Sequence, residues 1–155
     1  MRISYAVTVC NEFIEIQRLL KHLIEIKRIQ DEIVVLYDEK NGDPEIENFL
    51  RANSVNAGFI WRKGKFENHF ADWKNYLTSL CSGDYIFQID ADEIPTKTLM
   101  EYLPDIIDAN PTVDVLMVPR INTVEGLTKD HIAKWGWNVN IEGWVNFPDY
   151  QWRVW

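Results

Sequence analysis

Asp90-Ala91-Asp92-Glu93 is the point in the chain where residue types and spacing suggest chemistry. In extended backbone, residues two apart point the same way, so Asp90 and Asp92 are expected to converge, with the small Ala91 between them. Paired carboxylates are hard oxygen donors. They suit Mg2+ or Mn2+, which take one or two carboxylates and fill their shell with water and substrate phosphates. The competing reading is an acidic, solvated turn at a strand end. A bare Asp-x-Asp would be read that way, but this one follows the apolar run Tyr85-Ile86-Phe87-Gln88-Ile89 in an alternating α/β pattern.

That pattern supplies the scaffold. Ile3 to Val9 and Ile33 to Tyr37 are continuous apolar runs, as expected of strands covered on both faces. Ala57 to Trp61 reads as a third strand and Tyr85 to Ile89 as a fourth. Between them, Phe13, Ile16, Leu20 and Leu23 recur at helical spacing, with Asn11 as a candidate cap. Asp43-Pro44 opens a second helix. Asn68 to Cys81 reads as a third, with Phe70, Trp73, Leu77 and Leu80 inward and Gly83 as its stop. The rhythm predicts an α/β fold with a doubly wound, mostly parallel sheet. Such sheets bind ligands beyond the C-terminal ends of their strands. Asn11, Asp38 and Asp90 to Asp92 all fall there. Further on, a helix carrying Leu99, Leu103, Ile106 and Ile107 is expected to kink or split at Pro104. Val113 to Arg120 and Gln151 to Trp155 read as strands, and 121–146 shows no clean period.

The chain has 155 residues, of which 46% are apolar and 26% charged, which suits one globular domain. Sixteen basic against twenty-four acidic residues give a formal charge of −8. That balance disfavours nucleic acid as a partner. A bound divalent cation would still admit one phosphorylated small ligand. Cys10 and Cys81 read as buried thiols. The N-terminal run reads as a strand rather than a signal peptide, no apolar stretch is long enough to span a bilayer, and a cytoplasmic location is expected.

Four segments in order carry a family resemblance: Val7-Thr8-Val9-Cys10-Asn11-Glu12, Ile33-Val34-Val35-Leu36-Tyr37-Asp38, Ser82-Gly83-Asp84 through Asp90-Ala91-Asp92-Glu93, and Phe147-Pro148-Asp149-Tyr150-Gln151-Trp152-Arg153. Together they resemble the family-2 glycosyltransferases of the GT-A (Rossmann-like) fold, including bacterial lipopolysaccharide-core members. The resemblance implies a single nucleotide-sugar-binding domain over 1–155, with 1–93 the nucleotide-binding half and 94–155 a partial acceptor side, short at the C-terminus. It implies a UDP-sugar donor with Thr8, Asn11 and Glu12 in the nucleotide pocket and Asp38 on the base. Asp90 would face the ribose or the metal's water shell, and Asp92 would bind Mn2+ or Mg2+. Lys74 stands where the family usually has Arg, and neutralises phosphate without the bidentate fork. The alternative for Asp38 is an exposed turn carboxylate, and for Glu12 a first-turn charge favoured by the helix dipole.

The implied reaction moves a sugar to a hydroxyl of a saccharide or lipid-linked saccharide by inverting displacement. It needs a general base, for which Glu125, Glu142 and Asp149 are the in-chain candidates. A catalytically incomplete nucleotide-binding or assembly module of the same fold is the alternative. A nucleotidyltransferase ranks third, because Cys10-Asn11-Glu12-Phe13 is neither Gly-rich nor basic. Five of the seven tryptophans lie at Trp135, Trp137, Trp144, Trp152 and Trp155. Two readings of them stay open: contact with a sugar ring, a second copy or a partner chain, and packing of irregular loops. His22, His69 and His131 read as structural, and Arg62-Lys63-Gly64-Lys65 as a solvated basic loop.

Overall fold

The computed structural model describes residues 1–155 and divides them into two compact units, Met1–Asp114 with Trp155, and Val115–Val154. The first unit contains β1 (Ile3–Val9), α1 (Phe13–Ile26), β2 (Glu32–Asp38), α2 (Pro44–Ala57), β3 (Ile60–Gly64), α3 (Phe70–Ser79), β4 (Tyr85–Asp90) and α4 (Lys97–Ala109). Its strands are parallel and ordered β3-β2-β1-β4. The chain steps outward from β1 through β2 to β3, then crosses back to place β4 on the other side of β1. The topological switch point therefore lies between β1 and β4. In the register there, Thr8 stands beside Asp90.

Both faces of this sheet are covered, which is why β1 and β2 read as unbroken apolar runs. On one face Ala6, Val34 and Leu36 pack with Trp73 and Leu77 of α3. On the other, Tyr5, Val7, Ile33 and Val35 are fully or almost fully buried. That face is left to α1, which contacts both α2 and α4 and buries Ile16, Leu19, Leu20 and Leu23. The α/β, GT-A-like fold expected from the sequence is the fold observed.

Several local expectations need correction. Asn11 does not cap α1; the capping position is Glu12, without a side-chain cap bond. Phe70 does not face inward and is 71% exposed. As the first residue of α3 it leans on Phe66, 4.8 Å between ring centroids. Pro104 does not split α4, which runs through it as one element with the proline buried on its inward face. The apolar burial of the ring offsets the backbone hydrogen bond it removes. Gly83 is not the left-handed stop of α3, which ends at Leu80 in right-handed geometry. A Cβ at Gly83 would lie 2.6 Å from Ser4 Oγ and 2.8 Å from Ser4 N, so space, not φ, requires glycine there. Both cysteines are free and half-buried rather than buried. No helix is long and apolar enough to cross a membrane.

The second unit contains β5 (Leu116–Arg120), α5 (Lys129–Trp135) and β6 (Asp149–Val154), with β5 and β6 antiparallel. Its connecting segments are tied by a bridge between Val139 and Val145 and by a hydrogen bond from Val145 N to Asn122 O. His131 stacks on Trp135, and Trp135 lies 4.7 Å from Trp137. Aromatic contacts thus hold much of the stretch that lacks sequence periodicity.

Candidate functional site

The C-terminal ends of β1, β2, β3 and β4 form one rim, and hydrogen bonds knit its loops together. Asp43 N donates to Cys10 O, joining the loops after β1 and β2. Glu39 N donates to Gly64 O, joining those after β2 and β3. At the switch point, Lys74 Nζ reaches from α3 to donate to Asp90 Oδ1 at 2.7 Å and Thr8 Oγ1 at 3.2 Å. The structure therefore gathers Thr8, Lys74 and Asp90 into one contact.

Asp90 is oriented from several directions. Its Oδ1 also accepts from Gln88 Nε2 at 3.0 Å, and its backbone N–H donates to Glu93 Oε2 at 3.3 Å. Gln88 is a partner of Asp90 that is absent from the residues expected at the site. A polar side chain in an otherwise apolar strand, two residues before Asp90 and so on the same face, was the available signal. Asp92 does not share this arrangement. The strand ends at Asp90, Glu93 N closes a turn onto Asp90 O, Ala91 is buried, and Asp92 is exposed. The extended geometry that would align the two carboxylates stops one residue too early.

Asp38 is neither an exposed turn carboxylate nor an idle one. It is 4% exposed. Its Oδ1 accepts from Lys40 N and Phe66 N, and its Oδ2 from Asn41 Nδ2 at 2.8 Å. Burial alone would raise its pKa, but the hydrogen bonds from Asn41, Phe66 and Lys40 outweigh it and hold the carboxyl below its ordinary value. Cys10 Sγ lies 3.9 Å from Asp38 Oδ2, and its thiol is pushed up by burial and by Asp38. Glu12 folds back on its own loop, its Oε2 accepting from Cys10 N at 2.8 Å and Asn11 N at 3.0 Å. Asn11 itself is exposed. His22 Nε2 lies 2.7 Å from Pro95 O, fastening α1 to the segment that follows Asp92.

The donor set can be weighed against a divalent cation. No three His, Cys, Asp or Glu side chains are grouped to hold a metal ion. What is present is an exposed Asp92 beside an anchored Asp90. This suits an ion that arrives with most of its oxygen ligands on a diphosphate and in water, and does not suit a protein-only cage. In the second unit, Asp149 accepts from Arg120 Nε at 2.9 Å and Asn122 Nδ2 at 3.0 Å on Oδ2, and from Gln151 Nε2 at 2.7 Å on Oδ1. Bonds from Asn122 and Arg120 hold its carboxyl below the usual range. Glu125 and Glu142 are exposed.

Fold and site thus define a doubly wound α/β protein with a polar rim at its topological switch point. The model of glycosyl transferase family 2 matches residues 4–149, and the chain belongs to that family. It is similar to an uncharacterized protein of Sinorhizobium fredii, y4gI, at 26% identity over 83% of this chain and 15% of that protein. Its fold matches crystal structures of S. aureus TarS 1-349, with a TM-score of 0.63 at 20% identity over 83% of this chain and 38% of that one. The same protein in complex with UDP-GlcNAc matches with a TM-score of 0.64, covering 36% of that chain. The chain spans well under half the length of these relatives.

Proposed function

We propose that the protein is the donor-binding part of a glycosyltransferase that moves a sugar from a UDP-sugar to a hydroxyl acceptor by inverting displacement. The observation that carries this reading is the Thr8–Lys74–Asp90 contact at the switch point, with Asp92 exposed just beyond it. The TarS complexes with UDP-GlcNAc and UDP support a uridine nucleotide as ligand.

In this reading Asp38 shapes the base end of the pocket by ordering the segments at Lys40–Asn41 and Phe66, and Thr8, Asn11 and Glu12 build its wall. Lys74 supplies positive charge to a diphosphate. Asp92, with Asp90 behind it, would hold Mn2+ or Mg2+. Such an ion stabilises negative charge developing on a leaving diphosphate. The acceptor, a saccharide or lipid-linked saccharide, and a cytoplasmic location belong to the same proposal.

A second reading is a module that binds nucleotide without transferring sugar. It is favoured by Asp149, whose carboxylate is committed to Arg120, Asn122 and Gln151 and is a weak candidate for the base.

A thermal-shift titration with UDP, GDP and ATP, each with and without Mn2+, tests the proposal. Metal-dependent stabilisation by UDP is expected, and its absence sinks the assignment. Turnover or slow hydrolysis of a UDP-sugar then separates the two readings.

A further inference from the structure

At the switch point two donors converge on a single oxygen. Asp90 Oδ1 accepts from Lys74 Nζ at 2.7 Å and from Gln88 Nε2 at 3.0 Å. The two donors differ in kind. Gln88 is buried and reaches Asp90 from the same strand, so it directs the carboxylate without adding charge. Lys74 comes from α3 on a flexible stem and brings a full positive charge. Orientation and neutralisation are therefore supplied by different residues.

Neutralisation bears on any further cation. An ammonium in contact with a carboxylate cancels much of the field that would attract a dication, and adds its own repulsion. The contact is also easily opened, because both side chains are partly accessible to water. Thr8 Oγ1 lies 3.2 Å from the same ammonium, and Thr8 stands beside Asp90 in the β1–β4 register. Lys74 can thus exchange Asp90 for an anion at the rim while keeping one hydrogen bond.

Hydrated Mn2+ or Mg2+ alone offers Lys74 no new partner. A diphosphate carrying the ion does, since its oxygens accept from the ammonium while the ion meets the carboxylates. We propose that Lys74 is an internal counterion of Asp90 that keeps a divalent cation off the switch point until a diphosphate takes up the ammonium, so that cation and nucleotide enter together. The diphosphate rests on the donor reading given above; the competition between ammonium and cation does not. A Lys74 that merely positioned Asp90 would act with the opposite sign, because its removal would loosen the carboxylate and weaken cation binding.

The test is binding of Mn2+ to the nucleotide-free protein, followed by loss of the free-ion electron paramagnetic resonance signal. Lys74→Met is expected to bind Mn2+ roughly tenfold more tightly than the parent, through removal of one nearby like charge. Lys74→Gln should do the same, and Lys74→Arg, which restores the charge, should bind as weakly as the parent. Adding Asp92→Asn to Lys74→Met should abolish the gain. UDP is expected to raise the Mn2+ affinity of the parent by a larger factor than that of Lys74→Met, where part of the coupling is already released. Unchanged or weaker Mn2+ binding in both neutral variants, an equal gain in Lys74→Arg, or a gain that survives Asp92→Asn would overturn the proposal. If the gain appears but UDP alters Mn2+ affinity in no variant, the donor reading fails and the competition stands. If UDP and Mn2+ together stabilise the parent while the neutral variants bind Mn2+ alone no better than it does, the donor reading stands and the counterion role fails.

Discussion

Lys74 and Asp90 form an ion pair of 2.7 Å across the point where the sheet reverses its strand order, and the same ammonium touches Thr8. Three segments far apart in sequence meet in that contact. Both partners are partly exposed, with side chains 25% and 41% accessible, so the pair itself contributes little to stability, about 0–1 kcal/mol. In the proposed reading its value is a positive charge held where a diphosphate would sit. Lys74→Met is expected to leave the melting temperature nearly unchanged and to weaken UDP binding by roughly tenfold or more, as befits a lost charge-assisted hydrogen bond. Calorimetric titration with UDP reads the second effect and thermal melting the first. A large melting shift with unchanged affinity would make Lys74 a purely structural residue.

Asp92 offers a different signature. It is exposed at the turn after β4, so Asp92→Asn should not disturb the fold. Stabilisation by UDP alone should persist, and the additional stabilisation brought by Mn2+ should disappear. If the variant keeps the Mn2+ increment of the parent, the cation is held elsewhere.

Asp38 separates a structural from a direct role. An amide in its place keeps one oxygen but turns an NH2 toward donors that now meet a carboxylate. Asp38→Asn is expected to cost about 1–3 kcal/mol of stability and to weaken UDP as a consequence of loosened loops. The carboxyl is held below its ordinary 3.8, so the stability it contributes is present above that pH and is lost as pH falls through the folded value. The parent should show this acid sensitivity below about pH 3.8 and the variant should lack it. Lost UDP binding at unchanged stability would instead mean that Asp38 contacts the nucleotide directly.

The scaffold of the first unit was legible because β1 and β2 are buried on both faces and α1 and α4 on one, so periodicity reports them directly. The positions of Asp38 and Asp90 were legible for the same reason, since strand ends place them, whereas Lys74 lies within α3 and was marked only by the family resemblance. What Asp38 does was not legible. Its partners, Phe66 N and Asn41, lie in loops whose hydrogen bonds leave no pattern in residue types. The relation of Asp92 to Asp90 failed for a related reason: the alternation rule holds only while the backbone stays extended, and a turn from Asp90 to Glu93 ends it. In the second unit, backbone bonds, stacked aromatics and the Asp149 hub replace a repeating apolar stripe, so residue spacing carried little information.

Gly83 sits at the opposite end of the sheet, where its N–H donates to Ser4 Oγ at 2.8 Å. A methyl group there would press on Ser4 N and, at 3.0 Å, on Arg2 O, and neither backbone atom can yield without moving β1. Gly83→Ala is expected to cost about 1–3 kcal/mol by overpacking, measured by urea unfolding. A neutral result would show that the β1–β4 entry is more compliant than its contacts indicate.

The same end of the sheet carries a second buried carboxylate, in the first unit, whose protonation is coupled to folding. Glu32 is 6% exposed, and its carboxylate accepts from Ser4 Oγ and Ser82 N at 2.6 Å, Arg2 Nη2 at 2.8 Å and Ser82 Oγ at 2.9 Å. Burial pushes its pKa up, yet the bonds from Ser4 and Ser82 and the charge of Arg2 prevail, and the carboxyl lies below its ordinary 4.5. A depressed folded pKa means that the unfolded chain binds the proton more readily. The stabilisation is therefore complete above the unfolded value and declines as pH falls below about 4.5. Glu32→Gln should cost about 2–4 kcal/mol near neutral pH, because Arg2 and one serine donor lose a charged partner in a buried setting. It should also flatten the acid limb of the stability curve relative to the parent. Chemical denaturation at pH 7, 5 and 4 checks both effects. Because this network lies at the strand ends remote from Asp90, UDP affinity measured well below the melting temperature should be unchanged. If affinity falls together with stability, the two ends of the sheet are coupled through β1, and the donor rim depends on this buried carboxylate.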